Sequence, residues 1–287
     1  MRPLRHSSIT ACVSAWALIA LLVSGCSTSP VRPPTPAAQL RTEDLLQMPT
    51  PLGERYYLIL FGSETFIRHP SAVHTWATMV RVTENSENGP GVVEPHTISW
   101  GPASHKTRPW NFSVEPGVNM ELHATIREMY ELNEHIVMWG PYEVWHGNYT
   151  RFITQKAFMD SGQVGYQCID NIGEAARTGG GCDCIHSISD MDPMFDRKGY
   201  SLIYFGVPAT RNIVKQLMTR PVIIDAPRTH DWLLPCLGLD KYPIHRETYE
   251  GEVVSFSPER MRAALAEKSA GASLGIPLPW TTKTQTK

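Results

Sequence analysis

YYLILFG, residues 56–62, is an unbroken run of apolar strand formers, and a run of that length and composition reads as a central strand. Two alternating runs follow it. HTWATMVRV at 74–82 puts His74, Trp76, Thr78, Val80 and Val82 on one face, and VVEPHTISW at 92–100 does the same for His96, Ile98 and Trp100. The segment between them, TENSENGPG, is polar and rich in Gly and Pro, so the two runs read as a hairpin. Centred near Asn85, that hairpin makes His74 and His96 cross-strand neighbours, with Cβ atoms about 5 Å apart. Pro95 has no amide hydrogen to give to a ladder, which confines the third run to an edge or a bulge.

Helical signals begin after this sheet. MELHATIREMYEL spaces Leu122, Ile126, Met129 and Leu132 as one helix face, and PYEVWHGNYTRFITQKAFM reads as a second helix entered at Pro141. A short strand is expected in GQVGYQCID, a short helix from Asp183, and a strand or turn at YSLIYFG. Beyond these come a helix from about Pro208 to Met218, a strand at PVIID and a short helix in HDWLLPCLGL. Helices set apart from a small, mainly antiparallel sheet define an α+β fold.

The ends of the chain carry other signals. Arg2, Arg5 and His6 precede the apolar run ACVSAWALIALLV, which ends in SGC at Cys26. This is the layout of a secretory signal, with a run too short to span a bilayer comfortably. LVSGC resembles the lipobox of bacterial lipoproteins, and the resemblance implies that Cys26 is lipidated and becomes the first residue of a mature, membrane-anchored protein. Ser27 and Thr28 follow it with no acidic residue, which by the rule of enteric bacteria implies the outer membrane, facing the periplasm. Residues 1–25 are then the signal peptide, and 26–53, rich in Pro, Ser and Thr, a disordered tether. Residues 54–272 form a single domain ending in the helix ERMRAALAEKSAGAS, and 273–287 a frayed tail. With 26 basic and 28 acidic side chains in 287 residues, nothing points to nucleic acid as a partner.

The chemistry concentrates in GGGCDCIHSISD, 179–190. In an oxidising compartment cysteines pair by default. Cys168 and Cys182 bracket a Gly-rich loop, and a bridge between them is worth about 3 kcal/mol in the loop-entropy picture; pairing of Cys184 with Cys236 is the competing arrangement. Asp183 is placed to cap a helix, which puts Cys184 in its first turn, where the free amides and the helix dipole favour a thiolate. Cys182, Cys184 and His186 also form a set of soft-metal ligands, but zinc motifs usually use two-residue gaps. Neither metal nor cofactor is therefore expected, and His186 is expected at the surface or as a capping residue. His230 and Asp231 would suit a Cys-then-His order of catalytic residues, although Thr229 or Asp231 more simply caps the helix that follows.

The order of His74 and His96 on adjacent strands, then a thiol in DCIH at a helix start, resembles the circularly permuted papain-like enzymes of the lecithin:retinol acyltransferase and NlpC-type group. The resemblance implies a permuted papain-like fold with Cys184 as nucleophile, His74 as base and His96 orienting it. It further implies a thiol hydrolase or acyltransferase acting on an amide or ester. Asp183 departs from that group's Asn-Cys-x-His motif, and its charge opposes thiolate formation. HTWATMVRV, TISWGPA, EPGVNMELHATI, WGPYEV and THDWLLP also resemble segments of bacterial envelope proteins that have no assigned activity. The rival expectation is accordingly a non-catalytic envelope lipoprotein that binds or scaffolds.

Overall fold

The computed structural model describes residues 33–67, 69–83, 91–193, 195, 205–226 and 228–254. Cys26, the centre of the hairpin turn, most of YSLIYFG, the terminal helix and the tail lie outside the described residues. The chain order begins with α1 (Pro36–Gln39) and α2 (Thr42–Leu46), then β1 (Glu54–Glu64), β2 (Val73–Thr83), β3 (Val92–Ile98), β4 (Trp100–Pro102) and β5 (Gly117–Asn119). It continues with α3 (Leu122–Glu131), β6 (His135–Val144), α4 (His146–Asp160), β7 (Gly165–Tyr166), α5 (Gly173–Thr178), β8 (Gly181–Cys182) and α6 (His186–Ser189). The last described elements are α7 (Val207–Met218), α8 (Leu233–Cys236), β9 (His245–Glu247) and β10 (Val253–Val254).

Six strands form one mixed sheet in the order β10-β9-β6-β1-β2-β3. It is antiparallel except where β6 runs parallel to β9, and with its packed helices it makes an α+β domain. β1 lies inside the sheet and β3 at its edge, so the apolar run and Pro95 each read true. Alternate residues of β1 enter separate cores. Tyr56, Leu58 and Leu60 join Ala77, Met79 and Ile98 under α4 and α7, whereas Tyr57, Ile59 and Phe61 join Trp76, Val80 and Val82 under α3 and α8. Each such side chain, buried on both faces of one strand, contributes about 1.5–3 kcal/mol.

β6 corrects the reading of Pro141 as a helix start. Leu58 pairs with Tyr142 and Leu60 with Trp139, so Gly140 and Pro141 together oppose Ile59 in a bulge. A bulge is one of the few places a sheet interior accepts proline. It also shifts the alternation by one residue, which keeps Tyr142 and Val144 on the same face as Trp139. The helix begins only at His146. PVIID likewise forms no strand; it contributes a single bridge, Ile223 to Val144.

The tether expectation is corrected from Pro33 onward. Thr35 caps α1 and its Oγ1 also donates to the Asp190 carbonyl at 3.0 Å, while Ala37 is fully buried. Arg151 of α4 donates to the Leu40 carbonyl at 2.7 Å. Gly147 lets α2 approach α4, since a Cβ there would sit 2.1 Å from the Leu45 carbonyl oxygen. Two small helices therefore dock on α4 despite a composition poor in apolar residues, because they are fastened largely by main-chain acceptors.

Candidate functional site

The β2–β3 register decides the fate of the proposed histidine pair. Met79 pairs with His96 and Val82 with Val93, so the hairpin is centred between residues 87 and 88, not at Asn85. The change is an odd number of positions, and an odd slip exchanges faces. His74 consequently shares a face with Trp76, their rings stacked at 5.4 Å, whereas His96 sits on the Met79 face with its Nε2 3.4 Å from the Tyr149 hydroxyl. The two imidazoles lie on opposite sides of the sheet, and the expected His74–His96 contact is not made.

Cys184 is on the His96 side, in the core with Ala77 and Met79, and is 8 % exposed. The Thr75 main-chain amide is within hydrogen-bonding reach of its sulfur, yet burial first and the Asp183 carboxylate second push the thiol well above its ordinary value. The helix start was expected to favour a thiolate; the surroundings oppose one. No disulfide joins Cys168 to Cys182. β7 and β8 pair in parallel with Tyr166 opposite Cys182, the Cys168 sulfur turns to the Pro70 carbonyl at 3.6 Å, and that of Cys182 to the Asp183 carbonyl at 3.3 Å. The competing bridge is not formed either, since Cys184 and Cys236 belong to cores on opposite faces.

His186 is not a surface residue. It is 3 % exposed, and its Nδ1 lies 2.8 Å from Asp170 Oδ1 and 3.2 Å from Asp183 Oδ2. Asp183 does cap the turn as expected: its Oδ1 accepts from the amides of Ile185 and His186 at 2.9 and 2.7 Å. Burial alone would lower the His186 pKa, but the charges of Asp170 and Asp183 outweigh it and hold the imidazole well above its usual range. The Asp183 carboxyl is raised, by burial first and by Asp170 second.

His74 meets different neighbours. Its Nε2 is 2.9 Å from Ser99 Oγ, which is in turn 2.9 Å from Thr125 Oγ1. With a hydroxyl for its hydrogen-bond partner and no carboxylate pull to offset desolvation, burial pushes this imidazole down to about 4. The ring also lines a cleft of about 310 Å³ with Met120, Met129, Leu132, Glu134 and Tyr166, and Lys106 and His105 stand on its exposed side. Ser63 donates to Glu134 at 2.5 Å, but burial dominates and raises the carboxyl to about 7. Glu134 carries no sequence signal beyond standing just before an apolar run.

A second histidine–carboxylate group lies on the Tyr57 side of the sheet, away from Cys184. His230 Nε2 is 3.2 Å from Asp225 Oδ2 and 3.7 Å from Glu143 Oε2, and its ring packs 4.9 Å from that of Tyr57. Burial lowers this imidazole against the pull of Asp225. Asp231 is engaged by both terminal nitrogens of Arg246 at 2.8 Å. The His230–Asp231 pair therefore does not serve the sulfur. The chain matches no family model, no curated protein and no solved structure.

Proposed function

We propose that this is a lipid-anchored envelope protein, held by Cys26, that acts by binding a small ligand in the cleft beside His74 rather than by thiol catalysis. The observation that carries the proposal is the register: His74 and His96 stand on opposite faces, so a base and its orienting partner are not assembled at Cys184. In this reading, the order of His74, His96 and Cys184 resembles that of permuted papain-like enzymes without assembling their triad.

The cleft supports a binding role on its own terms. Its volume, about 310 Å³, is at the lower end of small-molecule pockets, and its walls mix apolar and polar side chains. Met120 and Met129 offer apolar contact, neutral His74 and Glu134 offer hydrogen bonds, and Lys106 offers a cation at the mouth beside the Glu128 carboxylate. A small carboxylate or amide with an apolar body fits that set. The test is a titration of the ¹⁵N-labelled mature domain with a panel of such compounds. Amide shifts confined to residues 71–74, 101–107, 120–134 and around Tyr166, weakened by Lys106→Ala, are expected. Ester or amide hydrolysis that disappears in Cys184→Ala, or a panel that moves no amide in the cleft, would overturn the proposal. Anchoring is checked separately, because Cys26→Ala is expected to free the protein from the membrane fraction or leave it unprocessed.

A further inference from the structure

Three polar atoms converge on one buried point beneath α6. Asp170 arrives from the loop after β7, Asp183 directly follows β8, and His186 opens α6. Each carboxylate has one oxygen committed to the main chain: Asp170 Oδ2 accepts from the Asp183 amide at 3.0 Å, and Asp183 Oδ1 accepts from Ile185 and His186. The other oxygens, Asp170 Oδ1 and Asp183 Oδ2, face His186 Nδ1. The side chains of Asp170, Asp183 and His186 are 1 %, 2 % and 4 % exposed.

Counting hydrogens makes the difficulty plain. Nδ1 carries at most one, and the shorter line, 2.8 Å, runs to Asp170. Asp183 Oδ2 is aimed at the same point from 3.2 Å, so two carboxylate oxygens compete for one ring hydrogen. Two buried carboxylates turned toward one imidazole are a costly arrangement in a protein interior unless the charges are matched.

We propose that Asp170, Asp183 and His186 form a structural site for one divalent transition-metal cation, with zinc first by donor type. Replacing the Nδ1 hydrogen with a dication lets Asp170 Oδ1 and Asp183 Oδ2 share one partner instead of competing for one hydrogen. The spacing suits it: tetrahedral ligands at about 2.0–2.1 Å are roughly 3.3 Å apart, against observed separations of 2.8 and 3.2 Å from Nδ1, and the three ligand atoms all lie within 4.8 Å of one another. The amides that hold the remaining carboxylate oxygens would orient the ligands from behind. This set differs from the thiol set suggested by the sequence, since the sulfurs of Cys182 and Cys184 turn to the Asp183 carbonyl and the Thr75 amide.

The test uses the mature protein purified without chelator and analysed by plasma mass spectrometry, then dialysed against Co²⁺ and read by visible absorption. About one equivalent of divalent metal per chain is expected, together with a Co²⁺ spectrum and a lower melting temperature after chelation. Asp183→Asn keeps the capping oxygen, so it is expected to fold while binding Co²⁺ at least tenfold more weakly. Less than about a tenth of an equivalent after dialysis against excess Zn²⁺ or Co²⁺, or undiminished binding in Asp183→Asn, would overturn the site and leave a proton-sharing triad. If Asp183→Asn fails to fold, the wild-type metal content and the chelator shift still decide.

Discussion

His74 and His186 are buried almost equally, 7 % and 3 % exposed, yet their pKa values move in opposite directions. His74 meets hydroxyls and falls to about 4; His186 meets two carboxylates and rises well above its usual range. Burial sets the size of the desolvation penalty, but the partner decides its sign. His230 stands between them. Its carboxylates lie at 3.2 and 3.7 Å and are themselves 27 % and 15 % exposed, so their pull does not overcome burial and the ring is lowered.

The largest expected effect follows from the fully buried cluster. Removing His186 leaves two carboxylates facing each other in the interior, so His186→Ala is expected to cost about 3–5 kcal/mol, measured by urea unfolding of the mature protein. A loss below about 1 kcal/mol would place the cluster among solvated ion pairs and break the contrast with His230.

Next comes the pH dependence of His74. The unfolded imidazole takes up its proton near pH 6.5 and the folded one only near pH 4. Within that window the unfolded chain binds the extra proton, so the contribution of His74 is complete above pH 6.5 and is lost as the pH falls through 4. The loss amounts to about 3 kcal/mol at most. Glu134 runs the other way: with its carboxyl raised to about 7, the folded chain keeps the proton, and stability falls as the pH rises from about 4.5 to 7. Stability measured from pH 4 to 7.5 should therefore lose its His74 slope in His74→Asn and its opposite slope in Glu134→Gln. Identical profiles for both variants and wild type would remove the burial account of His74.

The smallest effect is expected at the half-open group. Asp225→Asn should change stability by no more than about 1 kcal/mol, and the difference should shrink with added salt. A larger, salt-insensitive loss would make that group an equal of the buried one.

How much of this was legible in the sequence depended on whether a pattern was local. The apolar run of β1, the alternation of β2 and the Leu122, Ile126 and Met129 spacing of α3 each read correctly, because strand and helix periods are properties of adjacent residues. The run read as β3, by contrast, stops at Ile98, Trp100 starts β4 in another sheet, and Leu132 lies past α3, half exposed. Which residue of β2 faces which of β3 was not legible. Parity within each strand is visible, but relative register is set by the turn, and moving its centre from 85 to between 87 and 88 separated His74 from His96. β6 was hidden because Gly140 and Pro141 look like a helix entrance in sequence and act as a bulge in three dimensions. The His186 cluster was half legible. The Asp183 cap was foreseen, whereas Asp170 stands 16 residues before His186 and reaches it only once β7 and β8 have paired.

The proposal that Cys184 is not an activated thiol is tested most directly by electrophile labelling of the native, non-reduced mature protein, with Cys184 followed by peptide mapping across pH. Buried under the sheet on the face away from His74, and beside Asp183, Cys184 should label only when the protein is unfolded, with the same profile in His74→Asn. Selective native labelling of Cys184 with an apparent pKa below the reference value of about 8.5, abolished by His74→Asn, would contradict it and restore the catalytic pair.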